Sequence, residues 1–316
     1  MCFHWCRCFG GRKRQVYFTM KKMLFIYNPM AGKEKIRDKL SDIIQEFCNA
    51  DFEVTVFATR GQGDVTRLII ERGMEFDYTV CSGGDGTMNE MAVGIMHLER
   101  PPVCGYIPAG TVNDFATSLK IPKIMKKAAA LVARGDVFYC DLGQFNDRFF
   151  TYVAGFGAFT EVSHQTPQEL KNALGKTAYF MEALKHIIEI KPHHMKIIYD
   201  GGAVEDEFVL GLVSNSETVA GFKAYEERDI KMDDGLFEAI FIRMPKNPIE
   251  LQSVLNSLVT KNLDTELIVS ISSSHFHIVS DDDIQWTLDG EDGGFVDEVD
   301  MVNHKRVLPI VCNRKH

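Results

Sequence analysis

Ser82-Gly83-Gly84-Asp85-Gly86-Thr87-Met88-Asn89-Glu90 follows a short β-branched apolar run, Tyr78-Thr79-Val80-Cys81. It precedes Met91, Val93, Ile95 and Met96, dense enough in apolar residues to start a helix. Strand, glycine loop and helix in that order favour an anion, because amides at a helix start point outward and the macrodipole is positive there. Glycine at 83, 84 and 86 lets the backbone approach a phosphate closely and adopt positive φ at little cost. Asp85 does not attract phosphate. A carboxylate among phosphate-facing amides makes sense with Mg²⁺ between them, since that hard cation binds one or two carboxylates together with phosphate oxygens. A glycine-bearing β-turn with no ligand is the plain alternative. The string lacks the Gly-Lys-Ser/Thr of the Walker loop and is not the dinucleotide fingerprint. It reads as a different nucleotide loop.

A chain of 316 residues exceeds one ordinary domain, so two are expected. Apolar content of 45% and charged content of 25% fit a soluble globular protein. No run approaches the roughly 20 apolar residues of a membrane span, which leaves only surface contact with a bilayer. The eight cysteines include no CxxC pair. Cys81, Cys104 and Cys140 fall at the ends of expected strands, where reduced thiols act as small hydrophobes, and this points to a reducing cytoplasm. Residues 1–22 hold six cations and no acid, so the rest carries −15 where the whole chain carries −9. A body that acidic argues against nucleic acid as a partner, because such binding rests on neutralising phosphates.

Residues 1–22, with Cys2, Cys6, Cys8, His4 and a basic cluster, show no periodicity. They are expected to be a disordered extension, with order beginning at Met23; a basic membrane-touching arm and a Cys/His metal tract are the other readings. Met23 to Tyr27 is a continuous apolar run typical of a buried parallel strand, ending in the turn Asn28-Pro29-Met30-Ala31-Gly32-Lys33. Ile36, Leu40, Ile43, Ile44 and Phe47 then recur at helical spacing. Strand Phe52–Phe57, helix Asp64–Arg72, the central strand and helix, strand Val103–Ile107, the loop Pro108–Asp114 and helix Pro122–Arg134 follow. This alternation predicts an open parallel sheet whose carboxyl edge carries three glycine- or proline-bearing loops, the edge where such sheets bind ligands. After Asp141 the pattern changes. Strands are expected at 149–153, 194–199, 207–214, 236–243, 267–279, 283–288 and 307–312, mostly joined by turns, with helices at 169–190 and 248–260. That is a mostly antiparallel second domain.

The motifs together resemble the diacylglycerol kinase catalytic-domain family, the bacterial lipid kinases related to sphingosine and ceramide kinases. They are Asn28-Pro29 with Gly32, Ser82 to Glu90, Pro108 to Asp114, Asp233-Asp234-Gly235-Leu236 and Asp289-Gly290-Glu291. The central loop alone is shared with NAD kinases and phosphofructokinases; the later motifs make the resemblance specific. It implies a nucleotide-binding α/β domain with a phosphofructokinase- or NAD-kinase-like parallel sheet at 23–140. A β-sandwich-like lipid-substrate domain would follow at 141–303, with residues 304–316 as a last strand on an open sheet edge. ATP would lie among Asn28, Gly32, Thr59, Gly83, Gly84, Asp85, Gly86, Thr87, Asn89 and Thr111. Asp85 would act in the catalytic Mg²⁺ network, supported by Asn113, Asp114 and Asp141. Glu291 would be the general base with Asp289 beside it. Asp234 and the carbonyls of Lys231 and Leu236 would hold a second, structural Mg²⁺. Ala31 stands where the family often has serine, which removes one hydroxyl donor to phosphate.

Plain readings stand beside these. Asp289–Asp292 is also an acidic surface turn, and Asp-Gly at 234–235 is a strong hairpin signal without metal. His275 and His277 share one face of a strand, as metal ligands or as an exposed face. Lys120, Lys123, Lys126 and Lys127 are headgroup contacts or a solvated helix face. In 169–190, Leu170, Leu174, Met181 and Leu184 form an apolar stripe that faces either acyl chains or the second domain. The activity expected is an ATP- and Mg²⁺-dependent phosphorylation of a lipid hydroxyl, diacylglycerol first, by a cytoplasmic protein transiently at the inner face of the membrane. A soluble-substrate kinase of NAD-kinase type and a silent nucleotide-binding regulator are the alternatives. The oligomeric state, a homodimer included, stays open.

Overall fold

Strand and helix alternate through the first part of the chain in the computed structural model, which describes residues 20–32, 35–111, 113–157, 191–215, 231–260, 263 and 265–313. β1 (Lys21–Tyr27) lies between β2 (Phe52–Ala58) and β3 (Tyr78–Gly83), and β4 (Val103–Pro108) lies outside β3, all parallel. Met23 to Ile26 are wholly buried because helices cover both faces of the sheet. α1 (Lys35–Cys48) contributes Ile36, Ile43 and Phe47 to that core, α2 (Asp64–Arg72) Val65, Leu68 and Ile69, and α3 (Asp85–Met96) Met88, Met91, Ala92 and Ile95. α4 (Asp114–Ser118) and α5 (Met125–Arg134) follow β4. The first strand begins two residues before Met23. Lys21 and Lys22 pair with Phe52 and Glu53, and the Lys22 amide donates to Asp77 Oδ2 at 2.8 Å. Backbone pairing carries the strand past the point where the side chains stop being apolar.

The rest is strand-rich: β5 (Asp136–Phe145), β6 (Arg148–Phe150), β7 (Val153–Gly157), β8 (His193–Tyr199), β9 (Gly202–Ser214), β10 (Phe237–Arg243), β11 (Ile268–Ser273), β12 (His275–Leu288) and β13 (Glu291–Cys312), with α6 (Pro248–Thr260). These strands pair antiparallel with one another. Together with the first part they make a two-domain α/β fold with many antiparallel strands. Ala239 to Ile242 of β10 form a continuous apolar run because both faces of the strand are buried. Phe237, Ala239 and Phe241 join an aromatic core with Phe145, Phe156, Phe276 and Trp286, while Ile240 and Ile242 pack with Val254 and Leu258 of α6. Edge-to-face contacts such as Phe156–Trp286, 4.9 Å between centroids, add to burial there.

Three strand expectations are revised. The run expected at 267–279 breaks at Ser274, and its second part continues through the acidic Asp281-Asp282-Asp283 into the run expected at 283–288. A register shift between Val279 and Ile284 absorbs those acids without ending the strand. The strand expected at 149–153 is two strands, with Thr151 and Tyr152 in the bend between them. Finally, 307–312 is only the end of β13, whose 22 residues span both cores. Its first part gives Val299 and Met301 to the aromatic core; Leu308, Ile310 and Cys312 join the core of the parallel sheet, where Ile310 pairs in parallel with Cys104. The helix expected at 169–190 and residues 1–19 lie outside the described residues.

Candidate active site

Three loops meet backbone to backbone at the carboxyl edge of the parallel strands. The Gly83 carbonyl accepts from the amides of Ala109 at 2.8 Å and Gly110 at 3.1 Å, and lies 3.2 Å from the Tyr106 hydroxyl. A side chain on Gly110 would stand 2.6 Å from Gly84 Cα, and one on Gly32, at φ 59°, would collide with the Ala109 carbonyl. Glycine is therefore demanded at 32 and 110 by the approach of one loop to the next. Asn28 shapes its own turn: its amide bonds the Ser82 carbonyl, and its Oδ1 accepts the Met30 amide at 2.9 Å. The Thr59 amide donates to the Tyr27 carbonyl at the neighbouring strand end, and Thr111 is exposed at the tip of the β4 loop. Thr87 turns back against Gly83. Asn113 supports this assembly, bonding both the amide and the carbonyl of Gly110. α3 starts from Gly84 with no side-chain cap, so its first amides remain directed at the space above the loops.

Asp85, in the first turn of α3, reaches the start of α4, where its Oδ1 accepts the Phe115 amide at 3.3 Å beside Asp114. The third carboxylate of this place comes from the other end of the chain. β12 and β13 join through Asp289-Gly290, at φ 53° and 85°, the two positive φ values of a type I′ hairpin. Glu291, the first residue past that turn, is exposed, and its Oε1 lies 2.9 Å from where a Cβ on Gly86 would sit. The missing side chain at 86 is what admits the glutamate to the first turn of α3.

Asp289 has a different environment from the one expected of a catalytic group. Its Oδ2 accepts from Asn89 Nδ2 at 3.0 Å, the Thr151 amide at 2.7 Å and Thr151 Oγ1 at 2.8 Å. Its Oδ1 accepts from the amides of Tyr152 at 2.9 Å and Val153 at 3.1 Å. Burial lifts this carboxyl above the usual carboxylate range, opposed by those hydrogen bonds. Held by five donors, Asp289 fastens the turn. Asn89 likewise spends its amide on Asp289 and on the Phe149 carbonyl, tying α3 to the second domain. Tyr152, which no sequence pattern marks, stands beside Asp289, Asp85, Asp114 and Glu291, and burial together with those charges holds its phenol far above its ordinary range.

Asp141 lies in a second cluster. Its Oδ2 accepts the Gly235 amide at 2.6 Å and its Oδ1 the Arg306 amide at 2.7 Å; its nearby charges are Asp234 and Asp233, and burial raises its carboxyl. Asp234 Oδ1 accepts the Leu236 amide at 3.1 Å across Gly235, at φ 82°. Arg306 pairs with Asp233 Oδ2 at 2.7 Å. Asn215 joins the two clusters, its amide on the Tyr152 carbonyl and its Nδ2 on the Asp141 carbonyl at 2.8 Å. The Asp234 carboxylate offers oxygen, which suits a hard cation. No group of three or more His, Cys, Asp or Glu fit to hold a metal occurs among the described residues. A cation here would draw mostly on carbonyls and water, as Mg²⁺ does. His275 and His277 pair instead with Asp300 and Glu298 across the exposed strand face.

The family model of the diacylglycerol kinase catalytic domain matches residues 22–145. A diacylglycerol kinase of Bacillus subtilis (strain 168) is 32% identical over 293 residues, covering 92% of this chain and 96% of that one. One from Staphylococcus aureus (strain MRSA252) is 34% identical over 278 residues, 87% of each. A crystal structure of a diacylglycerol kinase from Bacillus anthracis str. Sterne superposes with a TM-score of 0.74 at 24% identity, over 93% of this chain and 97% of that one, and at that identity it speaks for the fold.

Proposed function

This chain belongs to the diacylglycerol kinase catalytic-domain family, and from that premise we propose that it transfers the γ-phosphoryl group of ATP to the free hydroxyl of diacylglycerol, giving phosphatidic acid. The observation that carries the reading is Glu291, delivered by the β12–β13 hairpin onto the first turn of α3 next to Asp85. Phosphoryl transfer needs charge neutralisation on the phosphate, an alcohol placed in line and an acceptor for its proton. The glycine loops and the start of α3 supply amides for the phosphates, with Asn28, Gly32, Thr59, Gly83 to Thr87 and Thr111 around the nucleotide. Asn89, spent on the second domain, bounds that space rather than binding in it. The hydroxyl oxygen of the lipid bonds to the γ-phosphorus, the bond to the β–γ bridging oxygen breaks, ADP leaves, and Glu291 takes the hydroxyl proton. Mg²⁺, when bound, neutralises the phosphate oxygens; Asp85 with Asp114 would hold it. A second Mg²⁺ would sit on Asp234 and the carbonyls of Lys231 and Leu236, steadying the turn that Asp141 grips.

The parallel order β2-β1-β3-β4 supports a phosphofructokinase- or NAD-kinase-like nucleotide domain, and the two faces of β10 support a sandwich-like second one. The division would fall near residue 140, with β13 returning to the first domain at its end. No helix among the described residues is long and apolar enough to cross a membrane, so a lipid would be met at a bilayer surface from the cytoplasm. The test is incubation of the purified protein with γ-labelled ATP, Mg²⁺ and diacylglycerol in detergent micelles, followed by organic extraction. Label is expected in the organic phase, falling roughly 10²-fold or more in Asp85→Asn, which removes a charge that organises the transition state. Label confined to aqueous products would overturn the lipid acceptor in favour of a soluble one.

A further inference from the structure

The hairpin that delivers Glu291 is held at its tip by one tyrosine. Type I′ and type II′ turns have the same first central residue at positive φ and differ in the sign of φ at the second. They interconvert by rotating the peptide between the two central residues, here the bond from Asp289 to Gly290. Asp-Gly favours the I′ form, since II′ asks for glycine at the first central position, and a tertiary hydrogen bond to that peptide adds to the preference. In this structure Gly290 is at φ 85°, the I′ form, and the carbonyl of that same peptide accepts the Tyr152 hydroxyl at 2.8 Å. The five donors on the Asp289 carboxylate hold the side chain of the first central residue, yet none of them touches the peptide that rotates.

We propose that Tyr152 is a positioning residue for phosphoryl transfer, a latch whose hydroxyl fixes the Asp289–Gly290 peptide and so aims the Glu291 carboxylate at the reacting hydroxyl. The latch is itself held. The Tyr152 amide bonds Asp289 Oδ1, and its carbonyl accepts from the Asn215 amide at 2.9 Å and Ser214 Oγ at 3.0 Å. A side chain at Gly290 would meet nothing within 4 Å but the Tyr152 hydroxyl, at 3.8 Å.

The inference rests on Glu291 as the general base, and a double-mutant cycle separates the two claims. Tyr152→Phe keeps the ring and removes only the donor. Its kcat is expected to fall about tenfold, the worth of one ordinary hydrogen bond, with KM for ATP unchanged. In a Glu291→Gln background the same change should cost less than about twofold, because the latch acts through the carboxylate. Gly290→Ala, strained at positive φ, approaches the same peptide from the other side and should show the same dependence on Glu291. Loss of transfer in Glu291→Gln with full activity in Tyr152→Phe would overturn the latch and leave the base standing. An equal loss from Tyr152→Phe in both backgrounds would also overturn it, by giving the hydroxyl a role independent of Glu291. Full activity in Glu291→Gln would strike the base itself.

Discussion

At Asp289 the same three letters, Asp-Gly-Glu, carry two unlike carboxylates. Glu291 is exposed against α3, while Asp289 is enclosed by Asn89, Thr151, Tyr152 and Val153. The sequence pattern locates the pair but cannot divide the labour, because every donor to Asp289 lies at least 136 residues away in the chain. Asp141 fails to read for the same reason: its carboxylate answers to Gly235 and Arg306, 94 and 165 residues on. The turn that carries Glu291, by contrast, is legible in sequence, because Asp-Gly is itself a tight-turn signal. Asp289→Ala should leave its donors unpaired and lower stability by about 3 kcal/mol or more. Thermal unfolding checks this, and a melting temperature equal to the parent's would mean that the enclosure holds nothing together.

Among elements, the legible ones carry their own boundary signals. α6 begins where Asn247 Oδ1 accepts the amides of Ile249 and Glu250, both at 3.0 Å, as a helix N-cap does. β13 was legible only at its apolar end, since Glu298 and Asp300 on its exposed face, together with the exposed Asp297 on the other, hide the alternation. Glu90, the last residue of the glycine motif, turns out to cap a different helix: its carboxylate accepts the amides of Gly63 at 2.9 Å and Val65 at 3.1 Å, at the start of α2. Next to it Asp64 bonds Arg67 and the Arg60 amide, which pull its carboxyl from 3.8 down to about 2. A depressed carboxylate contributes stability that is present in full above its unfolded value and is lost as pH falls through its folded one. Asp64→Asn should therefore melt below the parent at neutral pH, with the gap closing between about pH 4 and pH 2. A gap that persists unchanged to pH 2 contradicts the pairing.

Across the whole molecule, the site exists because two distant stretches close on α3. The central loop reads as a nucleotide loop from its own residues, and the parallel strands before it from their apolar runs. Invisible in the sequence is the reach of β13 beyond its apolar end: it takes part in both cores and shifts register between His304 and Leu308, with Arg306 at φ 56° pinned by Asp141. That strand brings the Glu291 hairpin from the second domain to the first turn of α3, and the whole functional reading depends on the meeting. The most direct measurement is on Glu291→Gln: ATP affinity by calorimetry beside the rate of phosphate transfer to diacylglycerol. The account predicts unchanged ATP affinity with transfer reduced by roughly 10² to 10⁴, the range that general-base catalysis contributes. Weakened ATP binding with turnover preserved would contradict it, making Glu291 a binding residue and leaving the proton without its acceptor.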